Sequence, residues 1–323
     1  MPVESTRRTA EALSAIPGLE VAEGMPLACH TRFGIGGPAD VFGETAGIES
    51  FVSALRFVRS AGLDFVVIGG GTNLIVSDEG YRGVVLRFRG GLLEARETHV
   101  YAEAGAELQQ LVDFTIAHGL KGLETLSGIP GSVGAAIYGN AGAYGHSISE
   151  RVRRVRFTDG DQLLEFENSQ CEFRYRESVF KRHKSWIVLS VDLELDAADA
   201  VELRATADEI LKIRNEKFPP TMKCAGSIFK NLLAANLPPA VRERVPQSVI
   251  REGKIPAAHF LEQAGAKGLS KGDIHVATYH ANLVYNAGNG TARDLCALIA
   301  ELKRRVFELF GLELEEEVQY VGF

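Results

Sequence analysis

Two glycine-rich stretches carry the strongest chemical signal in this chain. The first runs Val67-Ile-Gly-Gly-Gly-Thr-Asn-Leu-Ile-Val-Ser-Asp78. An apolar run that ends in three glycines lets backbone N–H groups point at an anion with no Cβ in the way, which suits a diphosphate. It is not a dinucleotide fingerprint, because the third glycine of G-x-G-x-x-G would fall at Leu74 and no helix is expected to follow. Taken alone, the loop reads equally well as a tight turn between two strands. The second stretch, from Leu126 to Gly145, is rich in glycine and alanine and almost uncharged. Small residues bury little apolar area, so a backbone-lined surface around a large flat ligand explains it better than a core segment does. Close backbone packing is the other reading. Two such cradles imply a large cofactor with a diphosphate, and a flavin dinucleotide fits.

The polar constellations are shorter. Phe173-Arg-Tyr-Arg-Glu-Ser178 reads as the end of a strand carrying Tyr175 and Arg176. Ala225-Gly-Ser-Ile-Phe-Lys-Asn231 sets Ser227 after a glycine at the start of another strand, with Lys230 and Asn231 close behind. Alone, each is more readily structural than functional. No H-E-x-x-H, G-x-S-x-G or kinase-type loop is present, which removes support for metalloprotease, esterase and kinase chemistry. The histidines have no ligand spacing, and Cys29, Cys171, Cys224 and Cys296 form no C-x-x-C pair, so no metal site is expected. Free thiols and an N-terminus without an apolar signal region fit a cytoplasmic protein.

The elements that must position these groups can be read from apolar periodicity. Phe51, Leu55 and Val58 recur at helical spacing between Ile48 and Ala61, and Phe65 to Ile68 is a short strand running into the three glycines. Strands are expected over Gly83 to Phe88 and Val100 to Ala104, with a helix from Leu108 to His118. From Val152 the pattern turns to β: Val155 and Phe157 alternate with arginines, Asp159-Gly160 supplies a hairpin turn, and Leu164 and Phe166 lie on the return strand. Trp186 to Leu195 is a further strand. Ala200 to Lys217 is helical until Phe218-Pro219-Pro220 stops it. Leu237 to Pro256 holds four prolines and reads as a surface excursion. The final helix is capped by Thr291, carries Leu295, Leu298, Ile299, Leu302, Val306 and Leu309 on one stripe and ends at Gly311. A strand from Leu312 to Val321 follows.

At 323 residues, 46% apolar and 24% charged, the chain is a globular protein of two or three domains, neither disordered nor fibrous. Its net charge of −7 argues against nucleic acid as the main partner. The one basic cluster, Arg151 to Arg156, reads as the wet face of a strand. No apolar run is long enough to span a bilayer.

These residues together resemble a known family, the UDP-N-acetylenolpyruvoylglucosamine reductases, the MurB flavoenzymes of bacterial cell-wall synthesis. The similar segments are Thr31-Arg-Phe-Gly-Ile-Gly-Gly-Pro-Ala39, Gly69-Gly-Gly-Thr-Asn-Leu74, Ser127-Gly-Ile-Pro-Gly-Ser-Val-Gly134, Asn140-Ala-Gly-Ala-Tyr-Gly145, Tyr175-Arg-Glu-Ser-Val-Phe-Lys181, Gly226-Ser-Ile-Phe-Lys-Asn231, His280-Ala-Asn282 and Leu314-Glu-Glu-Glu-Val318, in the family's order. The short run from Lys181 to Trp186 is similar to the subclass that lacks a substrate-capping tyrosine loop.

The resemblance implies an α+β fold. A two-subdomain FAD-binding domain of the vanillyl-alcohol oxidase-like (PCMH) type is expected over 1–203, with its core at about 31–195. An α+β substrate-binding domain follows over 204–323, its C-terminal segment returning to the flavin site. The resemblance further implies non-covalent FAD bound by Gly69, Gly70, Gly71, Thr72, Asn73, Leu74, Ser127, Gly128, Pro130, Gly131, Ser132, Gly134, Asn140, Ala141 and Gly142, and NADPH as co-substrate. Arg176, Ser227 and Glu317 are then the catalytic residues, and Tyr175, Arg214, Lys217 and Asn231 contact the nucleotide sugar. Glu317 is preferred over Glu315 and Glu316 because it directly precedes Val318. The implied reaction reduces the enolpyruvyl group of UDP-N-acetylglucosamine enolpyruvate, with no obligatory protein partner. In that reaction Arg176 steadies the charge pushed onto the enolpyruvyl carboxylate, Ser227 donates the proton, and Glu317, if held protonated, donates a hydrogen bond. Two rivals remain: a flavin-dependent oxidase of the same fold acting on an alcohol or sugar, and a non-catalytic nucleotide-sugar binder. The trio argues against the second, since binding alone does not need it.

Overall fold

The computed structural model describes residues 2–323. The chain forms two packed units. The first comprises the N-terminal segment up to Met25, Ala39–Gly71 and Tyr81–Glu216; the second comprises Pro26–Pro38, Thr72–Gly80 and Lys217–Phe323. Two short N-terminal pieces belong to the second unit because their apolar side chains are buried there: Phe33 is 1%, Ile35 3% and Ile75 1% exposed within its core. The boundary expected at 203/204 falls inside the helix Ala200–Lys217. Leu203 and Ala207 of that helix are buried in the first core, which holds it to the first unit and moves the division to 216/217.

Besides two short two-stranded pairings, the first unit contains two larger sheets. In one, Glu20–Pro26, Pro38–Thr45, Tyr81–Phe88 and Phe65–Ile68 lie side by side in that order. Tyr81–Phe88 runs parallel to both Pro38–Thr45 and Phe65–Ile68. Parallel strands need a crossover, and the helix Ile48–Ser60, whose Phe51, Leu55 and Val58 are fully buried, makes the one from Pro38–Thr45 to Phe65–Ile68, on the other side of Tyr81–Phe88 in the sheet. In the other, five strands are antiparallel in the order Leu163–Glu167, Val152–Thr158, Ile187–Glu194, His99–Glu103 and Leu93–Arg96. The hairpin expected at Asp159-Gly160 joins Thr158 to Leu163.

Alternation along Val152–Thr158 sorts its side chains between core and solvent. Val155 and Phe157 are fully buried, while Arg154 and Arg156 pair with Glu165, and Arg154 also with Asp192. Arg154 and Arg156 are therefore balanced by acids on the neighbouring strands. Phe157 touches Phe166, Phe180 and Trp186 with ring centroids 4.8, 5.2 and 5.1 Å away. A buried Phe contributes about 1.5–3 kcal/mol by area, so Phe180 anchors the segment that follows Tyr175 and Arg176.

In the second unit, Lys223–Ser227, Leu283–Asn286, Ile274–Val276 and Ser270–Lys271 form an antiparallel sheet in that order. The helix Ala292–Phe310 buries Leu295, Leu298, Ile299, Leu302 and Val306; Leu309, placed on the same stripe from sequence, is 53% exposed. Thr291 accepts a hydrogen bond from the Asp294 N–H, and Gly311 takes φ 67° to close the last turn. Asp78 adds a second cap, accepting from Ala292 N–H at 2.8 Å and Arg293 N–H at 3.0 Å. The strand expected from Leu312 to Val321 contracts to Gln319–Val321, which pairs in parallel with Leu74–Val76. Upstream of it only Glu316 forms a bridge, to Phe229. The excursion after Leu232 is closed by pairing of Leu232–Leu233 with Lys254–Ile255, because Leu237 and Val245 tuck into the second core. Periodicity gave no sign of the helices Val3–Ser14, Val133–Tyr138 and Ala257–Gln263.

Candidate active site

In the first unit, the second glycine-rich stretch is less open than its composition suggests. Its centre is the helix Val133–Tyr138, capped by Ser132 Oγ, which accepts from Ala135 N–H at 3.3 Å. The Val133 and Gly134 N–H groups bond to the carbonyls of Ala106 and Ala104, both at 2.8 Å. A Cβ on Gly134 would stand 2.9 Å from that of Ala104. Gly134 thus serves close packing, and its amide is not available to an anion as the sequence suggested. Gly69, at the end of Phe65–Ile68, crosses the same cap: a Cβ there would meet Ser132 Oγ at 2.8 Å. The first stretch continues through Gly70 and Gly71, the latter in the left-handed region at φ 64°, as are Gly128 and Gly131 at 74° and 121°. Pro130 is exposed between them, and Ala141 and Gly142 are half-buried.

Two buried hydroxyls at the head of the second stretch, Thr125 Oγ1 and Ser127 Oγ, have no hydrogen-bond partner. Leaving a buried polar group unsatisfied costs about 1–3 kcal/mol, and a bound group with donors or acceptors there removes that cost. The residues present therefore fit a polar cofactor at this stretch. Arg214 lies beside it, since a Cβ on Gly128 would meet Arg214 Cδ at 3.2 Å.

Tyr175 and Arg176 do not end a strand. They form the tip of a two-residue turn in which Arg174 and Glu177 exchange both backbone hydrogen bonds, at 3.0 and 3.1 Å. Arg176 takes φ 55°, a conformation that costs an L residue about 1–2 kcal/mol. Its guanidinium donates to the Gly142 carbonyl at 2.9 Å and lies 5.3 Å from the centroid of the Tyr175 ring.

In the second unit, Ser227 closes the strand Lys223–Ser227 rather than opening one. The pairing with Leu283–Asn286 shifts register between Cys224 and Ser227, and Gly226 sits in that irregularity at φ 77°. A glycine in the left-handed region is what a bulge of this kind requires, and it re-aims the residue that follows. Asn282 holds the next stretch: its Oδ1 accepts from Phe229 N–H and its Nδ2 donates to the Phe229 carbonyl, both at 2.9 Å. That clamp gives the His280-Ala-Asn282 segment a structural reason. His280 itself packs against Phe218, and burial with Lys217 nearby lowers its pKa to about 4.

The Glu317 segment lies alongside. Glu317 N–H donates to the Ile228 carbonyl at 2.7 Å, and Lys230 N–H to the Glu315 carbonyl at 2.9 Å. Asn73 Nδ2 donates to the Glu317 carbonyl at 2.8 Å, and Gln319 N–H returns to the Asn73 carbonyl at 3.0 Å. The three neighbouring carboxylates differ in their ties. Glu315 is bound by Lys230, and Glu316 by Lys303 at 2.8 Å and by the Tyr320 hydroxyl. Ser227 and Glu317 are thereby brought onto bonded segments of one unit, together with Thr72, Asn73 and Leu74; Asn231 is exposed just beyond. The Lys217 carbonyl accepts from the Tyr279 hydroxyl at 3.0 Å, and its ammonium lies 5.1 Å from the Phe218 ring centroid. Sequence reasoning missed the role of Asn282 and of the residues bracing the Arg176 turn, for which only spacing beyond the local motif gives a signal.

Comparison with known proteins bears on both units. A family model described as an FAD binding domain matches residues 40–164, and one described as the C-terminal domain of UDP-N-acetylenolpyruvoylglucosamine reductase matches residues 218–321. The reductase of that name from Solibacter usitatus is 64% identical over 310 residues, covering 96% of this chain and 99% of its own length. This chain belongs to the UDP-N-acetylenolpyruvoylglucosamine reductase family. The family's member from Carboxydothermus hydrogenoformans is 37% identical over 306 residues, covering 94% of each chain. The crystal structure of the Thermus caldophilus reductase (MurB) superposes with a TM-score of 0.72 at 28% identity, covering 94% of this chain and 98% of that one. The fold is α+β, an FAD-binding domain followed by the family's C-terminal domain, and membership does not favour the oxidase alternative. No helix among the described residues is long and apolar enough to cross a membrane.

Proposed function

We propose that this chain reduces the enolpyruvyl group of UDP-N-acetylglucosamine enolpyruvate to UDP-N-acetylmuramate, a cytoplasmic step of peptidoglycan synthesis, with non-covalent FAD and NADPH as reductant. Beside family membership, the observation that carries the reading is local. The bulge at Gly226 and the backbone bond from Glu317 to Ile228 fix a serine hydroxyl and a carboxyl on adjoining segments. The first unit holds the flavin through Gly69, Gly70, Gly71 and the stretch from Ser127 to Gly142, with Ser127 Oγ as the clearest side-chain partner. Thr72, Asn73 and Leu74 continue that loop. Tyr175, Lys217 and Asn231 contact the nucleotide sugar, and Arg214, placed beside Gly128, serves a diphosphate.

The chemistry requires these groups. A flavin held there and reduced by NADPH would supply hydride chemistry at the enolpyruvyl methylene. Negative charge then builds on the adjacent carbon and its carboxylate. Arg176 offers a planar, permanently charged donor to that carboxylate. Its left-handed backbone and its bond to Gly142 fix the guanidinium beforehand, so little reorganisation is needed during reaction. Ser227 gives its proton to the carbon that did not receive hydride; an enolate carbon is a strong enough base to take it. Glu317, in its protonated form, would donate a hydrogen bond to that charge.

Two half-reactions test this reading. NADPH bleaches the flavin of purified protein, and enolpyruvyl-UDP-GlcNAc restores the colour. Ser227→Ala leaves bleaching intact and slows reoxidation by about 10²–10⁴. Normal reoxidation in Ser227→Ala refutes the proton-donor assignment. A flavin that stays with acid-precipitated protein refutes non-covalent binding.

A further inference from the structure

The turn carrying Arg176 is held at three successive points by alternate residues of the glycine-rich stretch. Ser178 Oγ donates to the Tyr138 carbonyl at 2.7 Å, Asn140 Nδ2 donates to the Arg174 carbonyl at 2.9 Å, and Arg176 Nη2 donates to the Gly142 carbonyl at 2.9 Å. Residues 138, 140 and 142 thus contact residues 178, 174 and 176. Asn140 is 6% exposed, takes φ 43° and also accepts from Ser149 N–H at 3.3 Å, so both ends of its amide are engaged within the protein. Ser178 is fully buried. On the far side, Lys181 Nζ donates to the Arg176 carbonyl at 2.9 Å and pairs with Glu177 at 3.0 Å. A non-glycine residue persists in the left-handed region only when its surroundings over-determine it, and these contacts do so for Arg176.

We propose that Asn140 is a positioning residue for Arg176 rather than a side-chain ligand of the cofactor. Asn140 and Ser178 lock the turn to the stretch that cradles the flavin, so that filling the cradle also stiffens the turn that presents Arg176. The inference rests on the flavin site and reaction assigned above. A residue of this kind affects the step in which Arg176 acts on the substrate, leaving cofactor retention untouched.

Asn140→Gly tests it with least disturbance, because glycine accepts φ 43° without strain while removing the amide. Asn140→Asp is the isosteric companion: it keeps an acceptor for Ser149 N–H but sets a carboxylate oxygen against the Arg174 carbonyl. Hydrogen exchange of the peptide 172–178 is read with and without FAD, independently of turnover. In wild type, FAD raises protection at Arg174 and Glu177; in Asn140→Gly the FAD-dependent gain disappears while flavin content at saturating FAD is retained. Reoxidation by enolpyruvyl-UDP-GlcNAc falls roughly 10- to 100-fold, the range for a modest misplacement of a reacting group. In an Arg176→Ala background the Asn140 substitution adds little to that loss, the signature of coupled residues. Loss of flavin from Asn140→Gly, unchanged protection, or additive effects overturn the proposal. A wild type that shows FAD-dependent protection yet does not reduce the enolpyruvyl substrate overturns the reaction and leaves the positioning role standing.

Discussion

Gly226 offers the sharpest test of how the Ser227 hydroxyl is placed. Its φ is 77°, and a Cβ built there meets nothing within 4 Å. A substitution therefore suffers no clash and bears only the conformational cost of the left-handed region, about 1–2 kcal/mol for alanine. Asparagine tolerates that region and costs less, whereas β-branched valine costs more. The bulge cannot relax by flattening, because Cys224 pairs with Tyr285 and Ser227 with Leu283 on either side of it, and Asn282 clamps Phe229. The strain is then taken as lost stability and not as a re-aimed serine. At roughly 4 °C per kcal/mol for a unit of this size, Gly226→Ala lowers the melting temperature of the second unit by about 4–8 °C. Asparagine gives a smaller drop and valine a larger one. The substrate half-reaction of Gly226→Ala stays within about threefold of wild type, a barrier change under about 0.7 kcal/mol. Differential scanning fluorimetry and stopped-flow reoxidation are the assays. Equal melting temperatures across the series would refute the positive φ. A hundred-fold slower reoxidation at unchanged melting temperature would mean that the strand flattens and that the flanking pairs do not hold the bulge.

Three further outcomes are expected. Ser127→Ala removes a buried hydroxyl with no partner, so the apoprotein gains about 1 kcal/mol in thermal unfolding, while FAD binding measured by flavin fluorescence weakens about tenfold. Of the three adjacent carboxylates, Glu317→Gln slows reoxidation by about tenfold or more. Glu315→Gln and Glu316→Gln, tied to Lys230 and to Lys303 and Tyr320, change mainly stability, by about 1–3 kcal/mol. A larger kinetic effect at Glu315 or Glu316 would reassign the role. His280 has a folded pKa of about 4, against an ordinary value near 6.5. Between those values the unfolded chain binds more protons, so the stability is fully present above about pH 6.5 and is lost as pH falls toward 4. In His280→Phe, melting temperatures measured from pH 7.5 to 4.5 lose that part of the slope.

Much of the fold was legible because it rests on local periodicity. The stripe Leu295 to Val306 and the Thr291 and Gly311 caps are read from neighbouring residues, and the helix Ala292–Phe310 has those bounds. Val155 and Phe157 against Arg154 and Arg156 likewise specify which face of their strand is wet. The Leu126 to Gly145 stretch misled for the opposite reason. Glycine permits both an open cradle and close packing, and the choice at Gly134 depends on Ala104, thirty residues away in sequence. Tyr175 and Arg176 misled similarly. Nothing local says that Arg176 adopts a left-handed φ, since bonds from Asn140, Ser178 and Lys181 impose it.

By itself the sequence determined the α+β class and the family and singled out the groups proposed to react, because motif chemistry and apolar period are properties of short windows. Tertiary structure alone decided where those groups stand. It carried Phe33, Ile35 and Ile75 into the second core, set Asn73 against the Glu317 carbonyl and Glu317 against Ile228, and tied Glu315 and Glu316 to lysines. Each of these contacts joins residues that are remote along the chain. Burial and hydrogen bonding choose such pairs only after the whole chain has packed.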